Sequence, residues 1–312
     1  MMRKVKFKMG ERRVKALIKL CLLLPCLLLA SACGSDDEPE IGGTFQGATF
    51  LFTQDEVDEF VARQFEGVEG LLRIGGSGST ITNINGLESL RRITGGLIVE
   101  FTNLSNLEGL HNIETITGSI EILNNSELTN LNGLRGLNQV GDLIDISRNE
   151  SLQSLTGLAN LRSFTGSFLL DGASMLTSLQ GLSGIAGGLR GIAIANCSSL
   201  TSLDGLGNIT SIETRLFLIN LGSTAALTPF EDLRVVGAGI SVSDLPSLTN
   251  LNDFGSLIEV GGDISLNRNT GLNDLCGLQQ LLLTEGLTGS LVYSEQPFTP
   301  TAQDIIDGNC SN

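Results

Sequence analysis

The chain of 312 residues is acidic, with 34 Asp and Glu residues against 19 Lys and Arg residues and a net charge of −15 at pH 7. The imbalance grows beyond residue 32, because eight basic residues and one acid precede that point. What remains is 11 arginines against 33 acids, a net charge of −22. Such a surface repels phosphate backbones and anionic lipid, so the composition argues against nucleic-acid binding and against direct docking on a membrane.

Residues 1–32 have the organisation of a secretory signal peptide. Residues 1–19 are strongly basic, residues 20–30 form an apolar run, and small residues precede Cys33; this order defines an export signal. The apolar run is too short for a comfortable membrane span. Ala30-Ser31-Ala32-Cys33 resembles the lipobox of bacterial lipoproteins, which implies cleavage after residue 32 and a lipid anchor on Cys33. An ordinary signal with a chance cysteine is the alternative.

Residues 33–44 are small or acidic at first and carry few large apolar groups, so we expect a disordered tether. A plain solvated linker and a sorting signal for surface-exposed lipoproteins both fit this stretch. The exported, lipid-anchored location that follows is the outer membrane or the cell surface.

The body of the chain repeats every 24 residues. Leucine recurs at this spacing at seven positions, which are Leu131, Leu155, Leu179, Leu203, Leu227, Leu251 and Leu275. Each unit joins a short alternating run, typical of a strand, to apolar residues spaced by three, which favours 3₁₀ turns over a long α-helix. Stacking the units would bury the leucines in one continuous core. We therefore predict a mainly β, right-handed, leucine-rich-repeat-like solenoid over residues 71–294 with one parallel sheet.

A glycine occupies the same place in most units, and we interpret it as a tight turn with a backbone that favours positive φ. The glycines concerned are Gly109, Gly133, Gly157, Gly181, Gly205 and Gly277.

Both ends of a stacked repeat expose core and need covering. Residues 45–70 are predicted as the N-terminal cap, because Thr53 and Glu56 form a capping-box pattern ahead of a short amphipathic helix that includes Val57 and Phe60. Residues 295–312 leave the repeat at Pro297 and are predicted as the C-terminal cap, with one helical turn near residues 302–306.

The alternating Gly-x-Ile-x-Ile strand, the Asn-x-x-Leu-x-x-Leu-x-Gly-Leu link and the Ile116-Thr117-Gly118 step resemble the receptor L domain, a leucine-rich-repeat relative found in receptor ectodomains and bacterial surface proteins. The flanks around residues 53–57 and 298–310 are also similar to those of bacterial members. The resemblance covers about residues 45–312. It implies the solenoid fold, and it does not by itself imply a ligand.

Catalytic patterns are missing from the sequence. His111 is the single histidine and lies in a repeat link, where we expect a surface loop. The sequence contains neither an H-E-x-x-H metal motif nor a G-x-S-x-G elbow, and residues 75–78 are glycine-rich without the lysine of a phosphate loop. We therefore expect no enzyme activity, no metal and no cofactor.

Three cysteines remain beyond Cys33. One pair with one residue left over is the simplest arrangement in an exported chain. We predict a disulfide between Cys276 and Cys310, which would fix the C-terminal cap, and a free thiol at Cys197.

Strand parity predicts the binding face. If Ile120 and Ile122 point inward, the alternate residues point outward, and the same holds one repeat later. The candidate binding residues on this face are Glu121, Asp145, Leu169, Arg215, Phe217 and Ile219. Large apolar groups on a solvent-facing sheet are typical of an interface, although packing under a loop is an equal alternative.

These features predict a lipid-anchored envelope module for binding or adhesion. A protein ligand is favoured over a glycan, because the chain has no Trp and a single Tyr, Tyr293, for a sugar platform. A structural envelope protein without a discrete ligand and a glycan-binding protein are the alternatives.

Overall fold

The computed structural model describes residues 41–312, and the predicted signal peptide and Cys33 lie outside this part of the chain. The first strands are β1 (Thr44–Gln46), β2 (Thr49–Leu51), β3 (Gly67–Glu69), β4 (Leu72–Gly75), β5 (Arg92–Ile93), β6 (Leu97–Glu100), β7 (Thr115–Ile116), β8 (Ile120–Leu123), β9 (Gln139–Val140) and β10 (Leu143–Ser147). The remaining strands are β11 (Ser167–Asp171), β12 (Gly187–Leu189), β13 (Gly191–Ala195), β14 (Ile209–Ile212), β15 (Leu216–Ile219), β16 (Val235–Val236), β17 (Ile240–Ser243), β18 (Glu259–Val260), β19 (Ile264–Asn267) and β20 (Leu291–Ser294). The helices are α1 (Gln54–Ala62), α2 (Gln279–Leu283) and α3 (Ala302–Ile306). None of the helices within residues 41–312 combines the length and the apolar character needed to cross a bilayer.

Short 3₁₀ turns occupy the leucine-rich links, as the spacing of three predicts. They are Asn85–Ser89, Asn132–Leu134, Thr156–Leu158, Gln180–Leu182, Thr228–Phe230, Asn252–Phe254 and Cys276–Leu278.

Eleven strands form one parallel sheet, which we call the long sheet. Its order is β2-β4-β6-β8-β10-β11-β13-β15-β17-β19-β20. Ile146 on β10 pairs with Ile122 on β8 and with Leu170 on β11, so partners across these strands are 24 residues apart. The pairing confirms the mainly β, parallel character that the repeat predicts. The sheet begins at β2, ahead of residue 71, because part of the predicted N-terminal cap is extended and pairs with β4.

The prediction of a single parallel sheet was wrong. Residues 41–312 contain two further parallel sheets, with the orders β1-β3-β5-β7-β9 and β12-β14-β16-β18. Most of their strands are two or three residues long and follow the 3₁₀ turns, where each link passes its counterpart in the next repeat. A two-residue strand shows no alternation in sequence, and its pairing depends on the stacking of whole repeats.

The apolar series of the repeat forms a continuous buried core. The leucines at the seven 24-residue positions are all at most 1% exposed, and the inward residues of the long-sheet strands from β4 to β19 are buried with them. Each leucine packs between its counterparts in adjacent repeats. The core is therefore one cluster that runs from β2 to the C-terminal segment.

Most of the repeated glycines are required for a different reason from the one predicted. Gly109 and Gly205 have positive φ, but Gly133, Gly157 and Gly181 do not. A Cβ atom on Gly157 would collide with the carbonyl group of Leu131 in the preceding repeat. Close approach of successive links, rather than backbone handedness, excludes a side chain there.

Residues near both ends of the described range form short helices that bury apolar side chains. In α1, Thr53 and Glu56 form the predicted capping box, and Val57 and Phe60 are buried. Backbone hydrogen bonds from Gly42 to Arg63 begin ordered structure inside the predicted tether of residues 33–44.

At the other end, α3 buries Ile305, and Cys276 and Cys310 are joined at disulfide distance with their Cα atoms 4.9 Å apart.

Candidate functional site

The long sheet presents one face away from the core, which we call the outer face. Its main row, in register from strand to strand, consists of Phe50, Arg73, Ile98, Glu121, Asp145, Leu169, Ala193, Phe217, Ser241, Ser265 and Val292. Ile120 and Ile122 are buried, whereas Glu121 and Leu123, which alternate with them, are half-buried. The predicted strand parity is therefore confirmed, and it places the side chains of Leu169, Phe217 and Ile219 on the outer face.

Phe217 and Ile219 on β15 form what we call the apolar pair. Phe217 lies in register between Ala193 and Ser241, and Ile219 lies between Ala195 and Ser243. Small neighbours on both sides leave the two large side chains projecting above the sheet, and both are half-buried. Leu169 lies two strands away in the row of Phe217, about 10 Å distant at the usual strand spacing.

Arg215 directly precedes β15 and is exposed. Its guanidinium carbon is 5.9 Å from the centroid of the Phe217 ring, within range of a cation–π contact. Arg215 and Phe217 together present a positive charge beside an aromatic surface.

A hollow of about 290 Å³ adjoins the apolar pair. Arg215 and Phe217 form one side, Asp263 and Ser265 form the other, and glycines at 239, 261 and 262 leave the backbone accessible. The hollow offers an apolar wall beside polar atoms of both charges. Such a mixture is typical of sites that take a side chain of a protein partner.

Glu121 and Asp145 are neighbours in register on β8 and β10. Burial raises the pKa of Glu121, and the charges of Asp145 and Glu100 raise it further. Burial also raises the pKa of Asp145, against a hydrogen bond from Ser147 that lowers it. Both carboxylates are therefore held in surroundings that oppose their charge, and a cationic group on a partner would relieve this.

Glu100 is buried on the outer face although it is an acid, because Arg73 pairs with it across adjacent strands. Arg73 also lies over the ring of Phe52, at 5.9 Å from its centroid. This local ion pair leaves Glu121 and Asp145 as the acids of the row without a basic partner within residues 41–312.

The structure thus separates the predicted site residues into two groups. Arg215, Phe217 and Ile219 lie together at β15, and Glu121 and Asp145 form an acidic group towards the N-terminal end. Leu169 lies between the groups, one strand from Asp145 and two strands from Phe217. Asp145 is three strands from Phe217, about 14 Å at the usual spacing. One extended partner could contact both groups.

Three exposed aromatic residues were missed by the sequence reasoning. Phe50, Phe52 and Phe101 are each more than 40% exposed, and the rings of Phe50 and Phe52 stack 6.2 Å apart. The alternation of Phe50, Leu51 and Phe52, with Leu51 buried, was the available signal. It was overlooked because residues 45–70 were predicted as a cap rather than as part of the sheet.

Other candidate residues have structural roles. The buried Asn125 side chain accepts from the Thr102 amide at 3.0 Å and donates to the Val99 carbonyl at 2.9 Å. His111 lies in a turn and is half-buried, with its Nδ1 atom 3.5 Å from a carboxylate oxygen of Glu108. Cys197 is buried and unpaired within the described residues, and burial raises the pKa of its thiol to about 11.

No protein-family model and no curated protein matches this sequence.

Proposed function

We propose that this protein is an exported, lipid-anchored binding protein of the bacterial cell envelope, and that it has no catalytic activity. We further propose that its repeats form a leucine-rich-repeat-like solenoid of the receptor L-domain type. The parallel strand register and the buried leucine series support this fold. The sequence pattern that ends at Cys33 supports the anchor.

The apolar pair is the observation that carries the binding proposal. Phe217 and Ile219 project from an otherwise small and polar part of the outer face, and neither contributes to the core. A folded chain gains little stability from such residues, whereas a partner that covers them removes apolar surface from water. Protein interfaces draw most of their binding energy from a few anchors of this kind.

A protein surface that carries apolar and basic groups is the partner that fits the outer face best. Its apolar residues would cover the pair and fill the hollow beside Phe217. Its basic residues would face Glu121 and Asp145, whose charges are opposed by burial. The acidic character of the whole chain would also accelerate the encounter with such a partner.

The test is affinity capture of envelope proteins from the source cells by the purified chain and by a Phe217→Ser, Ile219→Ser double variant. We expect the double variant to fold with a nearly unchanged melting temperature, because both side chains lie outside the core. A genuine partner is captured by the parent chain and lost from the double variant.

Leu123→Ser is the matched control. It also replaces a half-buried apolar residue of the outer face by serine, but on β8, four strands from the apolar pair. Capture should survive this change. A double variant that retains the partner would place the interface elsewhere, and the absence of any partner would favour a structural envelope protein.

A further inference from the structure

The last strand of the long sheet leaves hydrogen-bonding groups of its backbone unused. On β20, the carbonyls of Ser290 and Ser294 accept from the amides of Ile264 and Arg268, each at 3.0 Å. In a parallel pair, residues that bond to one neighbour alternate with residues that point away from it. The N–H and C=O groups of Leu291 and Tyr293 therefore point away from β19, and they have no hydrogen-bond partner within residues 41–312.

At the opposite edge, the segment directly after the first strand is capped, although the backbone groups of Phe50 on β2 itself have no hydrogen-bond partner within residues 41–312. The amide of Phe52, directly after β2, donates to the carboxylate of Glu56 at 2.7 Å, and Thr53 donates to the same oxygen at 3.0 Å. Helix α1, which carries Glu56, packs Val57 and Phe60 into the core at that end. A covering helix is one way in which sheets shield an exposed edge, whereas at the C-terminal edge two outward residues of one strand keep free backbone groups.

An apolar cleft adjoins the open edge, and we call it the C-terminal cleft. Its volume is about 780 Å³, and its apolar lining includes Leu282, Leu287, Leu291, Tyr293, Pro300 and Ile306. The hydroxyl of Tyr293 donates to the carbonyl of Pro300 at 2.8 Å and joins the strand to the cap segment. The cleft lies where one more strand of the long sheet would pack.

We propose that the C-terminal cleft binds an extended segment of a protein partner, which adds a strand to β20 through the free groups of Leu291 and Tyr293. Alternate apolar side chains of the segment would enter the cleft, and basic residues would flank them. This mode of recognition obtains affinity from backbone hydrogen bonds and specificity from alternate side chains. The surface is separate from the outer face and does not rest on the function proposed above.

Charge at the cleft decides the kind of occupant. Glu285 lines it, Glu295 follows β20, and Asp304 lies on the cap helix α3, whereas none of the lining residues is basic. Hydrogen bonds from Thr301 hold the pKa of Asp304 below its usual value, so this carboxylate stays charged. A second copy of the chain would bring the same acids to the contact and be repelled, whereas a basic segment would be attracted.

The experiment uses the purified full-length chain and a short synthetic peptide. The centre of the peptide alternates valine and threonine, and lysines flank this run at both ends. Calorimetry measures the affinity, and amide hydrogen exchange reports on Leu291 and Tyr293. We expect the peptide to bind and to slow exchange at these two amides. The same peptide with a central proline should bind at least about tenfold more weakly, because proline removes a donor and opposes strand pairing.

Two variants test the location. Leu291→Pro removes an outward N–H without removing a bond to β19, and Ala302→Trp fills the cleft from α3. Each should weaken peptide binding by at least about tenfold. Ala225→Trp, at an exposed position outside the cleft, and the Phe217→Ser, Ile219→Ser variant should bind the peptide like the parent chain.

Equal affinity of the parent, Leu291→Pro and Ala302→Trp chains would overturn the proposal, as would a peptide that does not bind. Slow exchange at Leu291 and Tyr293 before any peptide is added would also overturn it. In that case analytical ultracentrifugation would identify the occupant of the cleft. A dimer would indicate a second copy of the chain, and a monomer would indicate another segment of the same chain.

Discussion

At the scale of single residues, the surroundings of Asp145 on the outer face disfavour its negative charge, and a substitution can test this directly. Asp145 lies between Glu121 and Leu169 on adjacent strands, and burial is the main cause of its raised pKa. For an acid with a raised folded-state pKa, the folded chain keeps a proton that the unfolded chain has already lost. Stability therefore falls as the pH rises above the ordinary carboxyl pKa and through the folded-state value.

We expect Asp145→Asn to be more stable than the parent chain at pH 7, because the amide keeps the shape of the carboxylate and loses its charge. The gain should disappear below the ordinary aspartate pKa of 3.8, where the carboxyl group is protonated in both states. Urea unfolding of both chains at several pH values measures this difference. Leu155→Asp is the contrasting change in the buried leucine series, and it should destabilise the chain by on the order of 4 kcal/mol. A gain for Asp145→Asn that is independent of pH would contradict the electrostatic explanation.

At the scale of elements, the sequence was sufficient wherever the pattern is local. The alternation around Ile120 and Ile122 predicted which residues of the long sheet face inward, and the Thr53–Glu56 pattern predicted the start of α1. Contacts between repeats were not predictable in this way. The two additional sheets and the collision that excludes a side chain at Gly157 depend on residues one repeat away. The hollow beside Phe217 was missed for the same reason, because it is formed by three successive strands and their links.

The link between Cys276 and Cys310 should stabilise the C-terminal segment against the last repeat. Cys310 lies at disulfide distance from Cys276 in the last repeat. Its carbonyl accepts from the Leu275 amide at 2.8 Å, and the next residue, Ser311, forms a β-bridge with Asp274. With a sequence separation of 34 between the cysteines, the cross-link should stabilise the folded chain by about 3–4 kcal/mol on the chain-entropy model. We expect a Cys276→Ser, Cys310→Ser double variant to lose stability of this order in urea unfolding.

The control for this loss is the parent chain under reducing conditions, which should match the double variant. Mass mapping of the non-reduced protein should recover Cys276 and Cys310 in one linked pair of peptides and Cys197 as a thiol. A peptide that links Cys197 to either of the other cysteines would contradict the assignment.

At the scale of the whole molecule, the proposed anchor and the proposed binding surfaces lie on separate parts of the chain. A lipid on Cys33 would hold the chain at a membrane through residues that precede β1, so the outer face and the C-terminal cleft would stay available to partners. The net charge of −22 beyond residue 32 would keep this body off an anionic lipid surface. An acidic binding protein therefore needs a covalent anchor to remain at the membrane.

Cys33→Ala tests this dependence. We expect the variant to leave the membrane fraction on cell fractionation, because the thiol that would carry the lipid is gone and the acidic body is repelled by anionic lipid. Mass spectrometry of the parent protein should show an N-terminus at Cys33 with an attached lipid. Cys26→Ala is the matched control, since it removes a cysteine of the proposed signal peptide, which processing would remove, and it should leave the protein membrane-bound. If Cys33→Ala stays in the membrane and retains residues 1–32, the apolar run of residues 20–30 is itself the anchor and the lipoprotein proposal is wrong. If instead the variant is released but still captures the same partner, the anchor and the binding surfaces act independently, as their separation along the chain predicts.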